Sequence, residues 1–203
     1  MIVSSVLGAV IQVAFALLLG FIFFLFMGRG KTSFPNFLGL RSTSAKPVLA
    51  GIALGVVASA ALLAVPGFSE MAKGPGTVPG ETLKQGLTHA AVVALVVTAI
   101  FKTALAEELL FRGLLGKRLI GWLGFRAGNL IQAAIFGALH SLLALTPLAT
   151  GTLVVSIVLF SAALGWINGW LNERMDEGSI LPGWACHASA NLCSYLGLAF
   201  GVL

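Results

Sequence analysis

Residues 90–113 read AAVVALVVTAIFKTALAEELLFRG, and the fold follows from how that stretch is understood. Residues 90–105 are apolar apart from Thr98, Lys102 and Thr103, and Glu107 and Glu108 stand side by side at the far end. A single acid at the centre of a membrane-spanning helix costs roughly 2.5–3.5 kcal/mol, so an acid placed there needs a partner or a function. On a helix Glu108 and Arg112 are four apart and share a face, where they can neutralise each other. Glu107 is rotated by about 100° and gains no such partner from its own helix. The rest of the chain is read for what Glu107 meets.

Composition makes that setting a membrane. Of 203 residues, 58% are hydrophobic and 9% charged, with mean hydropathy +1.01. Soluble domains average about 25% charged residues. The expected fold is all-α, a polytopic transmembrane helix bundle of about six spans, with a range of five to seven. Apolar runs near the length needed to cross the hydrocarbon core place the spans at 3–27, 48–68, 87–115, 129–145, 148–171 and 184–203. Two segments follow: 1–86, two spans with a basic loop, and 87–203, which carries the polar motifs. The first span reads as a retained span rather than a signal peptide, since no Lys or Arg precedes Arg29 and the run far exceeds an h-region. The second span is rich in small residues (Gly51, Gly55, Ser59) that let helices approach closely. Residues 28–47 and 69–86 read as loops, residues 116–128 as a basic connection with Trp122 and Phe125 at the interface, and Thr146-Pro147 as a short turn.

Charge sets the orientation. The first, third and fifth loops hold eight Lys and Arg, the second and fourth two. The positive-inside rule therefore puts the odd loops in the cytoplasm and both termini outside. The net charge of +5 gives no nucleic-acid partner, because the basic residues are scattered and lack interleaved aromatics. Cys186 and Cys193 lie about 10 Å apart on one helix, too far for a disulfide, and read as packing residues. His89 reads as interfacial. Lys102 is off the Glu107 face and receives no role.

Few ionisable groups lie within the later spans: Lys102, Glu107, Glu108, Arg112, His140 and His187, with Asn191 as a strong polar neighbour. Glu107 is ten residues before Lys117, up to roughly 15 Å from the cytoplasmic side; His140 is roughly 16 Å deep, and His187 roughly 6 Å. Phe136 and His140 are i, i+4, as are His187 and Asn191, so each pair shares a helix face. A carboxylate, two imidazoles and an amide on three helices suit hydrolysis, with a Glu and a His activating water and a second His with an Asn donating to an oxyanion. Taken singly, His140 would be a satisfied core histidine and Asn191 interhelical glue. Ser189 and Cys186 flank His187, but neither has a base at helical spacing.

Glu107-Glu108-x-x-x-Arg112, Phe136-x-x-x-His140 and His187-x-x-x-Asn191, in this order on successive spans, resemble the motifs of the CPBP family. These are intramembrane proteases related to the type II CAAX prenyl endopeptidases and to bacterial bacteriocin-immunity proteins. The resemblance covers about 87–203. It implies an intramembrane endopeptidase, multi-pass in a bacterial or archaeal cell membrane, that cuts a peptide or membrane-protein substrate near the cytoplasmic face. It implies that Glu107 and His140 activate water, that His187 and Asn191 form the oxyanion site, and that Glu108, Arg112 and Phe136 give structural support. Both a glutamate mechanism without cofactor and a zinc mechanism are argued for the family. A catalytic zinc takes three protein ligands and an open position, which Glu107, His140 and His187 could supply, although no HExxH helix is present. Two other functions compete: a non-catalytic scaffold or immunity factor of the same fold, and a small proton-coupled transporter. A scaffold has no chemical need of all four polar groups, and no paired half-helices mark a transporter.

Overall fold

The computed structural model describes residues 1–86, 88–144 and 149–201, and among these all regular structure is helical, with no strand. The expected turn at Thr146-Pro147 and the expected span ends at 87, 145, 148 and 203 lie outside the described residues. Among the described residues four helices are long and apolar enough to cross a membrane: Ile2–Met27, Ala45–Leu63, His89–His140 and Gly151–Met175. The first, α1, has 26 residues, about 39 Å at 1.5 Å per residue, enough to cross a hydrocarbon core of about 30 Å. Most of its large side chains are exposed, with Phe26 85% and Val3 79% accessible, while Ser5, Ala9, Ala16 and Gly20 are buried. This is the pattern of a helix that turns one narrow face of small residues to its neighbours and the rest to lipid.

The segments expected as loops contain short helices. Residues 28–47 hold α2 (Phe34–Leu38), which precedes α3 (Ala45–Leu63); residues 69–86 hold most of α4 (Phe68–Ala72) and all of α5 (Val78–Gln85). Both α2 and α5 start the same way. Ser33 accepts the Asn36 N–H and Thr77 accepts the Gly80 N–H, and a proline stands in each first turn, Pro35 and Pro79. A hydroxyl cap followed by proline satisfies orphan N–H groups with a backbone already set for helix. Helices this short leave no periodic apolar pattern from which to be read.

The third long helix is a hairpin. It comprises α6 (His89–Val97), π-helical turns at Thr98–Leu105 and Glu108–Gly116, and α7 (Lys117–His140). Within α7, Gly124 leaves helical geometry at φ 76°, ψ 165°, a conformation open to glycine and closed to other residues. The contacts across the fold are nearly symmetric about that glycine. A methyl on Gly128 would lie 2.5 Å from the Ile120 nitrogen, one on Gly116 would lie 3.6 Å from Gln132 Cγ, Arg112 Cζ is 4.1 Å from the Phe136 ring, and Glu107 meets His140. The basic connection expected over 116–128 is therefore helix, a one-residue break and helix again.

Two more helices complete the bundle, α8 (Gly151–Trp170, running into π-helical turns at Leu171–Met175) and α9 (Leu181–Ala199). α8 packs along the second arm of the hairpin, and α3 along α9. The α3–α9 approach needs glycine: a Cβ on Gly51 or Gly55 would run into the carbonyl of Pro182 or of Cys186. Cys186 is buried, Cys193 half-buried, and both are free.

The first, third and fifth loops meet on one face. Arg118 donates to the Phe37 carbonyl at 2.8 Å and stacks over its ring at 3.4 Å. Lys117 pairs with Glu173 at 2.7 Å and donates to the Gly178 carbonyl at 2.6 Å. The Ile180 N–H donates to the Gly39 carbonyl at 3.0 Å. These bonds fix α2 beneath the end of the hairpin, where Leu38 is fully buried among Ala16, Leu109 and Ile180.

Candidate active site

Glu107 sits between the two π-helical segments and presents its carboxylate to α7 and α9. Its Oε2 is 3.9 Å from His140 Nε2 and 3.8 Å from His187 Nε2, and it makes no hydrogen bond. Hydrogen bonds of this type end near 3.2 Å, so the three atoms face one another across a gap that one water can bridge. The Glu107 side chain is 29% exposed, against 19% for His140 and 4% for His187.

The far nitrogen of each ring fixes its tautomer. His140 Nδ1 is 2.8 Å from the Phe136 carbonyl. A carbonyl only accepts, so Nδ1 carries the proton. His187 Nδ1 is 3.1 Å from Glu108 Oε1, and the same reasoning puts its proton on Nδ1. Both neutral rings then aim an Nε2 lone pair at Glu107 Oε2. Three acceptors converge, and the group that belongs among them is one that donates, such as a water.

Glu108 is the opposite case. It is fully buried, and its Oε1 receives the Asn168 amide at 2.9 Å, His187 Nδ1 at 3.1 Å and the charge of Arg112 Nη1 at 3.2 Å. Arg112, 3% exposed, also lies over the face of Phe136, a cation–π contact. Phe136 is the hub beneath the site. Its ring is 4.3 Å from His140, 5.9 Å from His187 at 87°, and 5.0 Å from Phe111.

A comparison with known families completes the picture. The family model of type II CAAX prenyl endopeptidase Rce1-like proteins matches residues 89–193. The chain belongs to this family. The matched segment runs from the first turn of the hairpin into α9 and contains Glu107, Glu108, Arg112, Phe136, His140, His187 and Asn191. No curated protein and no solved structure matches the chain. Membership of an Rce1-like protease family, with four apolar helices of spanning length, makes this an integral membrane protease acting on peptide or protein substrates.

Asn191, expected beside the oxyanion, is engaged elsewhere. Its amide donates to Thr103 Oγ1 at 2.9 Å and to the Ala99 carbonyl at 3.5 Å. Trp184 likewise donates to the Ile100 carbonyl at 2.9 Å. α9 thus holds the first π-helical segment by two polar side chains. His187, expected as an oxyanion donor, has one nitrogen on Glu108 and the other facing Glu107.

The zinc expectation meets a geometric test. A tetrahedral ion with ligands at about 2.0–2.1 Å holds its donors about 3.4 Å apart, closer than the two Glu107 distances. Among the described residues no three His, Cys, Asp or Glu side chains form a group that could hold a metal ion.

The buried amides Asn129, Gln132, Asn168 and Asn172 escaped the sequence reading. Asn168 and Asn172 stand i, i+4, and Asn129 and Gln132 stand i, i+3, the same kind of spacing that flagged the histidines. An uncharged amide is less costly in an apolar span than an ionised group, so it stands out less in the sequence.

Proposed function

We propose that the chain is an intramembrane endopeptidase in which Glu107 is the general base. The observation that carries this reading is the unpartnered Glu107 oxygen held 3.8–3.9 Å from two imidazole nitrogens. A water in that gap donates to Glu107 Oε2 and to His140 Nε2 and attacks the scissile carbonyl with a lone pair. The new C–O bond forms as Glu107 takes the water proton. In this scheme His187 gains a second proton from solvent, at Nε2, as substrate enters; that N–H donates to the developing oxyanion, and the buried Glu108 carboxylate on its Nδ1 balances the imidazolium, the role an orienting acid has beside a catalytic histidine. Collapse breaks the C–N bond as Glu107 returns the proton to the leaving nitrogen, and the second water proton passes from the new carboxyl group to the amine, leaving a carboxylate and an ammonium. Asn191 supports the π-helical segment in this scheme, and no step runs through a metal.

The hairpin supplies two crossings and α9 one, giving six with α1, α3 and α8. The shared face of the odd loops supports that count, and their positive charge supports a cytoplasmic side for it, in the bacterial or archaeal membrane of this reading. An apolar groove of about 370 Å³ between α3, the first π-helical segment and α9, lined by Val48, Ile52, Ile100 and Trp184 among others, is the proposed seat for the apolar part of a substrate. A non-catalytic scaffold would have no use for an unpartnered Glu107 oxygen, which is costly to keep.

The test is cleavage of prenylated and unprenylated membrane-anchored peptides by the purified protein in bilayers, with and without a chelator. The proposal expects new amine termini, unchanged turnover in chelator and turnover lowered by roughly 10²–10⁴-fold in Glu107→Gln. Loss of turnover in chelator with recovery on added zinc would transfer the chemistry to a metal. Absence of cleavage across a broad peptide library would favour the scaffold.

A further inference from the structure

Beside Arg112, and not lined by Glu107, lies a small space of about 10 Å³, lined by Arg112, Asn129, Gln132, Asn172 and Glu173 among others. Several of the polar atoms around it are buried without a hydrogen-bond partner: Arg112 Nε, Nη1 and Nη2, Gln132 Oε1 and Asn172 Nδ2. Arg112 Nη1 stands 3.2 Å from Glu108 yet makes no hydrogen bond to it. The orientation of both amides is fixed by their other ends. Gln132 Nε2 donates to Asn129 Oδ1 and to the Gly165 carbonyl, each at 2.9 Å, which leaves Oε1 as the free atom. Asn172 Oδ1 accepts the Gly183 N–H at 2.8 Å, which leaves Nδ2 free. The space therefore presents donors from Arg112 and Asn172 and an acceptor from Gln132.

We propose that this is an internal water-binding site, separate from the gap at Glu107. The ligand must both accept and donate. An anion is opposed by Glu173 on the wall and Glu108 behind Arg112, and a cation by Arg112 itself. A single water needs about 10–15 Å³ and two to four polar partners, and the space offers both. The water accepts from Arg112 and Asn172 and donates to Gln132 Oε1. It gives the buried guanidinium the partners that the protein does not supply, and lies between the loop-face pair Lys117–Glu173 and the Glu108 cluster.

The test needs no catalysis, so it stands or falls independently of the protease reading. In the full-length protein with ¹⁵N-labelled arginine, water–protein cross-relaxation is measured at each guanidinium Nε–H by NMR in bicelles. The Arg112 signal is expected to show a cross-peak to a long-lived water, and Gln132→Met, similar in length but without the acceptor, is expected to abolish it. Asn172→Leu serves as the second variant should Gln132→Met fail to fold. No water cross-peak at Arg112 in the wild type, or one unchanged in the folded variant, overturns the proposal.

Discussion

Glu107 and Glu108 are consecutive residues on one helix, and their surroundings have almost nothing in common. Glu108 faces α8 and the interior, fully buried with Asn168, His187 and Arg112 at one oxygen. Glu107 faces the gap between α7 and α9, partly exposed, with two imidazole nitrogens held just beyond hydrogen-bond reach. A step of one residue turns the side chain by about 100°, enough to separate an acid that builds the protein from one left free to act on something else. His187 belongs to both regions, with Nδ1 bonded to Glu108 and Nε2 facing Glu107, and links the support to the chemistry.

The comparison can be broken by mutation. The largest expected effect lies on the Glu107 side. His140→Ala should cut turnover by roughly 10²–10⁴-fold, the usual share of general acid–base catalysis. Combined with Glu107→Gln it should lose little more, because residues acting as a unit are not additive. Multiplicative losses in the steady-state rates would separate the two residues into different steps. On the Glu108 side, Arg112→Ala leaves a buried carboxylate uncompensated, and breaking such a pair costs about 3–5 kcal/mol. Folded yield and thermal midpoint should both fall. A normal melting curve with lost turnover would put Arg112 in the chemistry instead.

Smaller effects sharpen the boundary. Asn168→Ala removes one donor to a buried charge, worth about 1.5–3 kcal/mol, and should lower the melting midpoint of the protein without changing its cleavage specificity. Asn191→Ala removes the bond to Thr103, an interhelical contact worth about 0.6 kcal/mol on average in membrane proteins. Turnover should fall by roughly threefold or less. A loss of 10²-fold or more, the mark of an oxyanion donor, would return Asn191 to the role its spacing suggested.

How much was legible beforehand differs between the same two regions. Glu107, His140 and His187 stand out because an ionisable group in an apolar span is rare and expensive, so three of them on three different spans carry information. The support of Glu108 was half legible: Arg112 follows from i, i+4 spacing, whereas Asn168 depends on how α8 docks, which no local pattern encodes. The π-helical turns leave no trace in composition, since they change the hydrogen-bond register and not the residue types. The break at Gly124 was hidden in a basic segment that suited an interfacial loop equally well. α2 and α5 were legible only as a hydroxyl cap followed by proline.

The most direct measurement sets Glu107→Gln beside Glu108→Gln in bilayers at matched folded concentration, reading peptide turnover and thermal midpoint on each. The account predicts that Glu107→Gln keeps the wild-type midpoint and loses roughly 10²–10⁴-fold in turnover, while Glu108→Gln melts at lower temperature and its surviving folded fraction retains more activity than Glu107→Gln. Equal behaviour of the two, or a Glu107→Gln protein that cuts at the wild-type rate, would contradict it.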